Sequence, residues 1–311
     1  MNATAPLVPP ATGRLSHLGL LRFSGPDTPG FLQGQLSNDT RRLSAGEPLL
    51  AALSSPQGRV LAVLHLAPHS TGIIAMLPRT LVAPVQERLR RYVLRSKVQI
   101  TDLSDQFAAV GLYDGGAMDL EFTGADPGYR ERDGVGIARL GRGPRRWAIG
   151  SEEDLARQGV AANEATADLV ERDWRLADIR AGLPQIYPAT SELFVAQMLN
   201  LDLLDGISFT KGCFTGQEII ARTQHLGRIK RRLFRLQLPR GSWSIGQTLQ
   251  LPDGRSGRLT EVATVGDGHE ALAVLPLANA GGAEPAAAGG PPEASPGTPV
   301  DARELSLPYP A

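Results

Sequence analysis

A single cysteine, Cys213, lies in the octapeptide KGCFTGQE at residues 211–218 and is the strongest candidate for chemistry in this chain. Thr215 and Glu218, followed by two isoleucines, form a capping-box signature that predicts a helix start just after the cysteine. A helix N-terminus and the neighbouring charge of Lys211 both favour a thiolate. The pattern therefore predicts a nucleophilic or metal-liganding sulfur. The alternative is a structural cysteine that acts as a small hydrophobe in a glycine-rich turn.

Other residues that could form a catalytic or metal site have weaker support. The histidines occur singly, without the paired spacing of metal ligands, at His17, His65, His69, His225 and His269. Only His225 follows Cys213 closely, and helical spacing would point it away from the thiol, so a Cys–His hydrolase is disfavoured. One cysteine also excludes an internal disulfide and any metal or iron–sulfur site made wholly of this chain's thiolates. We therefore expect no resident metal.

The charge balance excludes a global electrostatic attraction to nucleic acid or membranes. The chain has 32 basic and 32 acidic residues, so a charged partner must be met by a local patch. The first residues lack a basic start followed by an apolar stretch, and no apolar run of the length that spans a membrane, about 18 residues, occurs. We expect a soluble cytoplasmic protein in a reducing compartment, with a disordered tail at 1–13.

Short apolar strands that alternate with turns are expected to form the first half of the chain. Candidate strands are Leu49–Leu53, Val60–Leu66, Gly72–Leu77, Val98–Leu103, Ala108–Tyr113 and Trp147–Gly150. One amphipathic helix interrupts them from about Leu81 to Arg95, with arginines 88, 91 and 95 opposite its apolar face. Strands with a helix set against one face indicate an α+β fold.

The second half of the chain is predicted to contain another long helix and a small β domain. The helix should run from Thr166 to just before Gly182, with Trp174 on its apolar side. Later strands are predicted at Leu233–Leu238, Thr248–Leu251, Leu259–Val265 and Ala271–Leu275, and they suggest a barrel. The Ala/Gly/Pro-rich stretch 279–299 is expected to be a flexible linker, after which ELSLPYP returns as an edge strand.

Several motifs, taken in order, resemble the YgfZ family over nearly the whole chain. They are FLQGQLSNDTRRL (31–43), SPQGRVLAVLHL (55–66), WRLADIRAGLPQI (174–186), SELFVAQMLNLDLLDGISFTKGCFTGQEIIAR (191–222), LGRIKRRLFRL (226–236) and the final LPYP. The KGC[FY]xGQE block is highly specific, and Phe214 occupies its aromatic position. Only the N-terminal tail and the insertion at 279–299 lie outside the resemblance.

The resemblance implies a relative of the glycine-cleavage aminomethyltransferase, an α+β protein with three domains around a central opening. The implied regions are 14–150, which is folate-binding-like, 151–228, a second α+β region that carries the KGCFTGQE loop, and 229–311, a small C-terminal β-barrel. Proteins that resemble this family are linked to the assembly or repair of iron–sulfur enzymes, including enzymes that thiolate tRNA. Tetrahydrofolate or a derivative is the implied cofactor, and iron–sulfur client or assembly proteins are the implied partners.

The resemblance also assigns residues by motif position. Cys213 and Lys211 become the reactive pair, and the cofactor-binding positions are Trp174, Gly212, Gly216, Gln217, Glu218 and Arg222. Glycines 212 and 216 would let backbone amides approach a ligand closely. The indole of Trp174 could pack one face in the core and offer the other to folate. The thiol could ligate a cluster transiently, form a mixed disulfide, or accept a one-carbon or sulfur species.

Two positions depart from the aminomethyltransferase pattern. The segment from Arg59 to Leu66 contains no carboxylate, whereas the related enzymes have acidic residues there, including the aspartate that assists transfer. Arg180 stands where those enzymes have a glutamate that grips the pterin, and a guanidinium cannot accept the pterin's hydrogen bonds. Both departures argue against aminomethyl transfer, and the second argues against pterin recognition of the usual kind.

A basic run supplies a second candidate site. The stretch 219–252 has no acidic residue, and its clustered basic residues are Arg222, Arg228, Lys230, Arg231, Arg232 and Arg235. Beside the helix face at 88–97 they could form a groove for tRNA, for the glutamyl tail of folate, or for an acidic partner.

The preferred interpretation is a folate-binding accessory protein of iron–sulfur cluster assembly or repair, with Cys213 as its reactive thiol. The first alternative is a folate-dependent methyl- or aminomethyltransferase, which would not depend on that thiol. The second is a tRNA-binding module that uses the basic run.

Overall fold

The computed structural model describes residues 13–112, 128–139, 145–160, 167–225, 229–278 and 299–310. Within these ranges the chain folds into three antiparallel sheets of five strands each, with helices packed against them. The predicted α+β class is confirmed. Arg228, the tail before Gly13 and the linker before Pro299 lie outside the described residues.

The first sheet carries the strands and the turn that contact the candidate site. Its order is β3-β4-β5-β2-β6, formed by β2 (Leu18–Ser24), β3 (Leu49–Ser54), β4 (Val60–His69), β5 (Gly72–Pro78) and β6 (Gln99–Asp102). Helix α2 (Arg79–Val93) covers the sheet with buried Leu81, Val85 and Leu89, which recur at helical spacing. The predicted amphipathic helix therefore forms, two residues earlier than expected at each end.

The second sheet has the order β1-β7-β10-β9-β8. Its strands are β1 (Gly13–Arg14), β7 (Phe107–Leu112), β8 (Tyr129–Arg132), β9 (Val135–Arg139) and β10 (Arg146–Ser151). Helix α3 (Glu152–Arg157) follows directly, and its N-cap Ser151 accepts a hydrogen bond from the Asp154 N–H. Helix α4 (Ala167–Ala181) then runs to Gly182, whose φ of +65° ends it as predicted.

The C-terminal sheet has the order β12-β13-β14-β11-β15. Its strands are β11 (Arg231–Leu238), β12 (Thr248–Gln250), β13 (Ser256–Val265), β14 (Gly268–Pro276) and β15 (Arg303–Leu305). The final segment contacts both outer strands: Val300 donates its N–H to the Gln250 carbonyl, and β15 pairs with β11. The returning edge strand therefore forms as predicted, whereas the barrel stays a prediction.

The region predicted as a second α+β domain, 151–228, differs from that expectation. Beyond β10, its described residues form α3, α4, a 3-10 turn at Ala196–Leu199, helix α5 (Gln217–His225) and long loops, and they contribute no further strand. The loops are instead held to the other regions, as where Val195 forms an isolated bridge with Arg59. A separate sheet is unnecessary because this region packs its apolar residues into the core of the other two.

One hydrophobic core joins the regions. Leu21 of the first sheet, Leu176 of α4, Phe214 of the KGCFTGQE loop and Leu233 of the C-terminal sheet are all buried in the same cluster. The boundaries predicted at 150/151 and 228/229 stay predictions. No helix in the described part of the chain is long and apolar enough to cross a membrane.

Two helical elements were not predicted from the sequence: helix α1 (Thr28–Gln35) and the 3-10 helix Thr40–Ala45 that follows it. Two glycines in TPGFLQGQ weaken the helical pattern, although a proline in the first turn is typical of a helix start. These two elements carry the segment 36–39 that supports the candidate site.

Candidate functional site

The KGCFTGQE loop is anchored at its start by Lys211. The side chain is 5% exposed, and its ammonium group donates to the backbone carbonyls of Leu36 at 2.6 Å and Asn38 at 2.8 Å. We expected this charge to lie beside the thiol, but it is turned inward onto the carbonyls between α1 and the 3-10 helix. Lys211 thus contributes to the site by fixing the loop.

Burial lowers the pKa of Lys211 from 10.5 to about 8, since the charged ammonium loses water that two carbonyls replace only in part. The charge of Asp39 opposes this shift, and the charge of Arg41 adds to it. Asp39 is itself bound by Arg41 over 2.6 Å, and that hydrogen bond holds the pKa of the Asp39 carboxyl far below its usual range. Burial therefore makes this ammonium group easier to deprotonate than that of an ordinary lysine.

Cys213 is exposed, between two buried anchors. Phe214 is 8% exposed and packs in the main core, and the Lys211 ammonium lies 4.9 Å from the centroid of its ring. Gly212 faces open space, with no atom within 4 Å of the place where a Cβ would stand. The thiol therefore stands on the surface of a fixed loop, and the interpretation of Cys213 as a buried small hydrophobe is wrong.

The helix after the thiol is capped differently from the predicted Thr215–Glu218 box. Helix α5 begins at Gln217, and the Gln217 side chain accepts a hydrogen bond of 3.3 Å from the Phe214 N–H. The side chain that accepts a hydrogen bond from a backbone N–H ahead of the helix therefore belongs to Gln217, one residue earlier than predicted. Glu218 is exposed. Thr215 instead donates its backbone N–H to the carbonyl of Gly34 in α1. Cys213 still lies four residues before a helix, as the sequence predicts.

Gly216 turns the loop into the helix against the β3–β4 turn. Its φ is +82°, and a Cβ there would lie 2.6 Å from the carbonyl oxygen of Ser55. Gly58 in the same turn has a φ of +71°, and a Cβ at that position would lie 2.7 Å from the Cβ of Ile219. The SPQGR turn and the loop therefore fit together only because both positions are glycine.

Two buried polar side chains that were not predicted from the sequence support the loop from below. The Ser37 hydroxyl donates to the Gly206 carbonyl at 2.6 Å, and the Asn38 amide donates to the carbonyls of Leu50 at 2.8 Å and Asp205 at 2.6 Å. Ser37 and Asn38 are at most 1% exposed. Their only sequence signal is their place in the FLQGQLSNDTRRL motif. The structure thus joins three separated motifs, 31–43, 55–66 and 211–218, into one site.

Trp174 does not form part of this site. It is 1% exposed, its ring lies against the backbone of Gly111, and the Arg145 guanidinium covers it 4.8 Å from a ring centroid. Arg145 is held there by a buried ion pair of 2.7 Å with Asp178. Both the core and Arg145 therefore cover the indole in this structure, and the contact between Trp174 and folate stays a prediction.

Arg180, which the resemblance places where the related enzymes have a pterin-binding glutamate, forms an ion pair within the protein. Its guanidinium donates to the Glu270 carboxylate at 2.7 Å, and Arg235 donates to the other oxygen at 2.7 Å. Burial alone would raise the pKa of Glu270, but the bonds from the two arginines outweigh burial and lower it. Glu270 thus ties α4 to the C-terminal sheet and has no oxygen left without a partner.

Two arginines of the basic run, Arg232 and Arg235, are neutralised by acidic residues from other parts of the chain. Arg232 forms a two-pronged ion pair of 2.6 and 2.9 Å with Asp202, and Arg235 binds Glu270. Arg231 is half-buried, and Lys230 is exposed. The prediction of a polyanion groove that includes Arg232 is therefore wrong, because its acidic partner lies outside the stretch that was counted.

Arg222 is exposed on α5, four residues after the exposed Glu218. Positions four apart share a helix face, so both lie on one side of α5.

Among the residues that the structure describes, no group of three His, Cys, Asp or Glu side chains is arranged to hold a metal ion.

Comparison with known proteins finds relatives that carry the same protein name. A tRNA-modifying protein YgfZ of Edwardsiella ictaluri is 32% identical over 296 residues, which cover 86% of this chain and 88% of that protein. A tRNA-modifying protein YgfZ of Colwellia psychrerythraea is 30% identical over 227 residues, with 71% and 69% covered. No family model matches the chain.

A solved structure, the glycine cleavage system aminomethyltransferase T from Bartonella henselae, superposes with a TM-score of 0.64 at 18% identity. The match covers 86% of this chain and 78% of that one. At this identity the likeness shows a shared fold, which is the fold class predicted from the sequence.

Proposed function

This chain belongs to the YgfZ family, and we propose from that premise that it is a folate-binding accessory protein of iron–sulfur cluster assembly or repair, with Cys213 as its reactive thiol. The relatives from Edwardsiella ictaluri and Colwellia psychrerythraea are called tRNA-modifying proteins. We extend this to a role in the maturation of iron–sulfur enzymes, including those that thiolate tRNA.

The observation that carries the proposal is an exposed thiol on a loop that is anchored on both sides of the cysteine. Lys211 fixes the loop by two hydrogen bonds to carbonyls, and Phe214 fixes it by burial in the core. A surface cysteine with no task would need no such support, whereas a thiol that must meet an atom of a partner gains from a fixed position. An anchored loop also loses little conformational entropy when a partner binds.

The residues around the thiol leave room for a large partner. Gly212 faces open space, so a partner's backbone or cluster can approach Cys213 from that side. Glu218 and Arg222 are exposed on the helix that follows and offer one charge of each sign for orientation. A thiolate donates an electron pair to a metal ion or to a sulfur atom, and both occur on iron–sulfur proteins. We therefore assign Cys213 to direct contact with the client or its cluster.

Folate enters the proposal through the family and through the aminomethyltransferase-like fold. Tetrahydrofolate supplies one-carbon units when it is bound. The residues at the expected contact positions do not fit the usual pterin contacts, because Trp174 is buried and Arg180 is bound to Glu270. We therefore propose folate as a ligand of the fold and derive no chemical step through it.

The thiol is tested by complementation in a bacterial strain that lacks its own member of the family. Wild-type protein should restore the thiolated nucleosides of tRNA, measured by mass spectrometry, and Cys213→Ser should not. Gln224→Ala is the matched control, because it alters an exposed side chain on helix α5 to which no role is assigned. Full restoration by Cys213→Ser would overturn the thiol assignment.

Folate binding is tested separately by calorimetric titration of the purified protein with tetrahydrofolate. We expect binding that Cys213→Ser leaves unchanged, because the thiol is assigned to the client. Absence of binding would remove folate from the proposal and leave the thiol assignment to be judged by complementation.

The alternative of a folate-dependent aminomethyl- or methyltransferase is favoured by the shared fold alone. The segment 59–66 has no carboxylate, and β4 presents buried His65 and His69 as its ionisable side chains. Burial lowers the pKa of His65 to about 3, and the charge of Arg145 adds to that effect, so this histidine stays neutral. A transferase would show turnover with a folate donor that is independent of Cys213.

A further inference from the structure

A second basic surface lies at the end of helix α2, in a different part of the sequence from the KGCFTGQE loop. We call residues 88–97, RLRRYVLRSK, the α2 basic surface. The segment has five basic residues and no acidic one, and its side chains are exposed at Arg90, Arg91, Arg95 and Lys97 and half-buried at Arg88. The sequence suggested this face only as a neighbour of the basic run at 222–235, and the function proposed for Cys213 does not use it.

Most of this charge is available to a partner. Arg91 pairs with Glu87 one turn earlier, and Arg90 donates to the Ile100 carbonyl. In contrast, the side chains of Arg88, Arg95 and Lys97 have no ion-pair partner among the residues that the structure describes.

Nearby acids do not neutralise these three groups. Asp27 accepts a hydrogen bond of 2.7 Å from the backbone N–H of Lys97. Asp102 accepts from the N–H and hydroxyl of Ser104 at 2.9 and 2.6 Å. The surface thus differs from the run at 230–235, where Arg232 and Arg235 are held by Asp202 and Glu270.

Two exposed apolar side chains stand among these charges. Tyr92 is 38% exposed and Leu94 is 87% exposed. Leu94 ends the helix with a φ of +44°, a backbone conformation that costs a leucine energy and that glycine would adopt more easily. Backbone strain of this kind is often found at binding sites, and the exposed leucine is available for contact.

A groove runs beside this surface, between α2 and the edge strand β6. Its volume is about 610 Å³, and it is lined by Arg90, Val93 and the side-chain amides of Gln86 and Gln99, with Asp102 in its wall. The Gln86 amide donates to the Ile100 carbonyl and keeps its own oxygen for a ligand. An amide offers both a donor and an acceptor, which is what the edge of a nucleobase pairs with.

We propose that the α2 basic surface binds an unpaired segment of RNA, with phosphates on Arg88, Arg95 and Lys97 and a base stacked on Tyr92. Guanidinium groups match phosphate geometry, and stacking on an aromatic ring is how proteins hold unpaired bases. An acidic protein would use the charges but would not need the tyrosine, which shares a helix face with Arg88 four residues earlier. The proposal does not depend on the chemistry of Cys213.

The test is fluorescence anisotropy with a labelled RNA stem-loop and, separately, the fully paired duplex of the same composition. Wild-type protein should bind the stem-loop more tightly. Arg88→Gln/Arg95→Gln should flatten the slope of log K against log salt by about 1.4, since each phosphate contact on a single strand contributes about 0.7. Tyr92→Ala should weaken binding at least about fivefold with the slope unchanged, because stacking is not electrostatic.

Two controls make the test decisive. Lys230→Gln/Arg231→Gln removes the same charge from the other basic run and should leave stem-loop affinity within about twofold, because phosphate contacts act locally. Cys213→Ser should bind as wild type does. The proposal is overturned by equal loss in the two charge pairs, by equal affinity for the duplex, by an unchanged affinity in Tyr92→Ala, or by displacement of the RNA by polyglutamate at equal charge concentration.

Discussion

The ammonium group of Lys211 donates a hydrogen bond of 2.6 Å to the backbone carbonyl of Leu36, a residue 175 positions earlier in the chain. A second bond of 2.8 Å reaches the carbonyl of Asn38. Carbonyls at the end of a helix have no intrahelical partner, and Leu36 directly follows α1. Lys211 therefore satisfies backbone groups of one motif and holds the Cys213 loop of another in place.

Lys211→Met should destabilise the protein by about 1 to 2 kcal/mol. The variant leaves two carbonyls without their donor, at about 1 to 3 kcal/mol each, and relief of the buried charge offsets part of that cost. Urea unfolding measures the change. Lys97→Met, which alters an exposed lysine, is the control and should shift the unfolding free energy by less than about 0.5 kcal/mol. An unfolding midpoint for Lys211→Met at or above that of wild type would contradict the anchoring role.

The same contact predicts a pH dependence of stability. The pKa of Lys211 is about 8 in the folded chain, against an ordinary value of 10.5. Between these values the unfolded chain binds more protons than the folded chain, so stability rises with pH across this window. A neutral amine still has two N–H groups for its two carbonyls.

Subtraction isolates this effect from the other titrating groups. The unfolding free energy of wild type minus that of Lys211→Met should grow by up to about 3 kcal/mol from about pH 7.5 to about pH 10.5. A difference that stays constant over this range would mean that the buried amine does not titrate there.

Gly216→Ala should destabilise the protein by about 2 kcal/mol or more. The φ of +82° is unfavourable for any side chain, and the new Cβ would lie 2.6 Å from the carbonyl oxygen of Ser55. Gly212→Ala on the same loop meets no atom within 4 Å and should change the unfolding free energy by less than about 0.5 kcal/mol. Thermal unfolding of the two variants side by side is the measurement, and equal costs would refute the fitted turn.

Much of the fold follows from periodicity in the sequence. Helix α2 and helix α4 were predicted within two residues because their apolar positions recur at helical spacing. Helix α1 was not predicted because its two glycines have low helix propensity. The helix forms because packing against the core outweighs that low propensity. The long loops in the region 151–228 could not be predicted for a related reason, since they are held by contacts that no local pattern encodes.

The candidate site was only partly predictable. The thiol and its two glycines are visible as a motif, but the partners of Lys211 are backbone carbonyls, which any residue can supply. The neutralisation of Arg232 depends on Asp202, which lies 30 residues earlier and reaches it only in the folded chain. Charge counted along a sequence therefore overstates the charge that a folded surface presents.

Glu270→Gln should destabilise the protein by about 2 to 4 kcal/mol. The carboxylate is 6% exposed and accepts hydrogen bonds from Arg180 and Arg235, so its loss leaves two guanidinium groups without their counter-charge. Unfolding in guanidinium chloride measures this change in the free energy of unfolding. Glu87→Gln, which breaks an exposed pair with Arg91 on helix α2, is the control and should cost less than about 0.5 kcal/mol.

Acid should weaken the same contact. Because the pKa of Glu270 is lowered in the folded chain, its contribution is complete above the ordinary glutamate pKa and is lost as pH falls through the folded value. The stability difference between wild type and Glu270→Gln should therefore shrink below about pH 4. A difference that persists unchanged in acid would show that the carboxylate charge is not what holds the two arginines.

Cys213 should react with a thiol reagent while the protein is folded. Its side chain is exposed, so iodoacetamide should modify one group per chain at a rate that urea increases by no more than about threefold, since accessibility and thiolate fraction set that rate. Cys213→Ser should take up no label and should keep its unfolding free energy within about 0.5 kcal/mol of wild type, because the thiol makes no buried contact. Mass spectrometry counts the label. A thiol that reacts only after unfolding would remove the basis for direct contact between Cys213 and a client protein, since no external atom could then reach the sulfur.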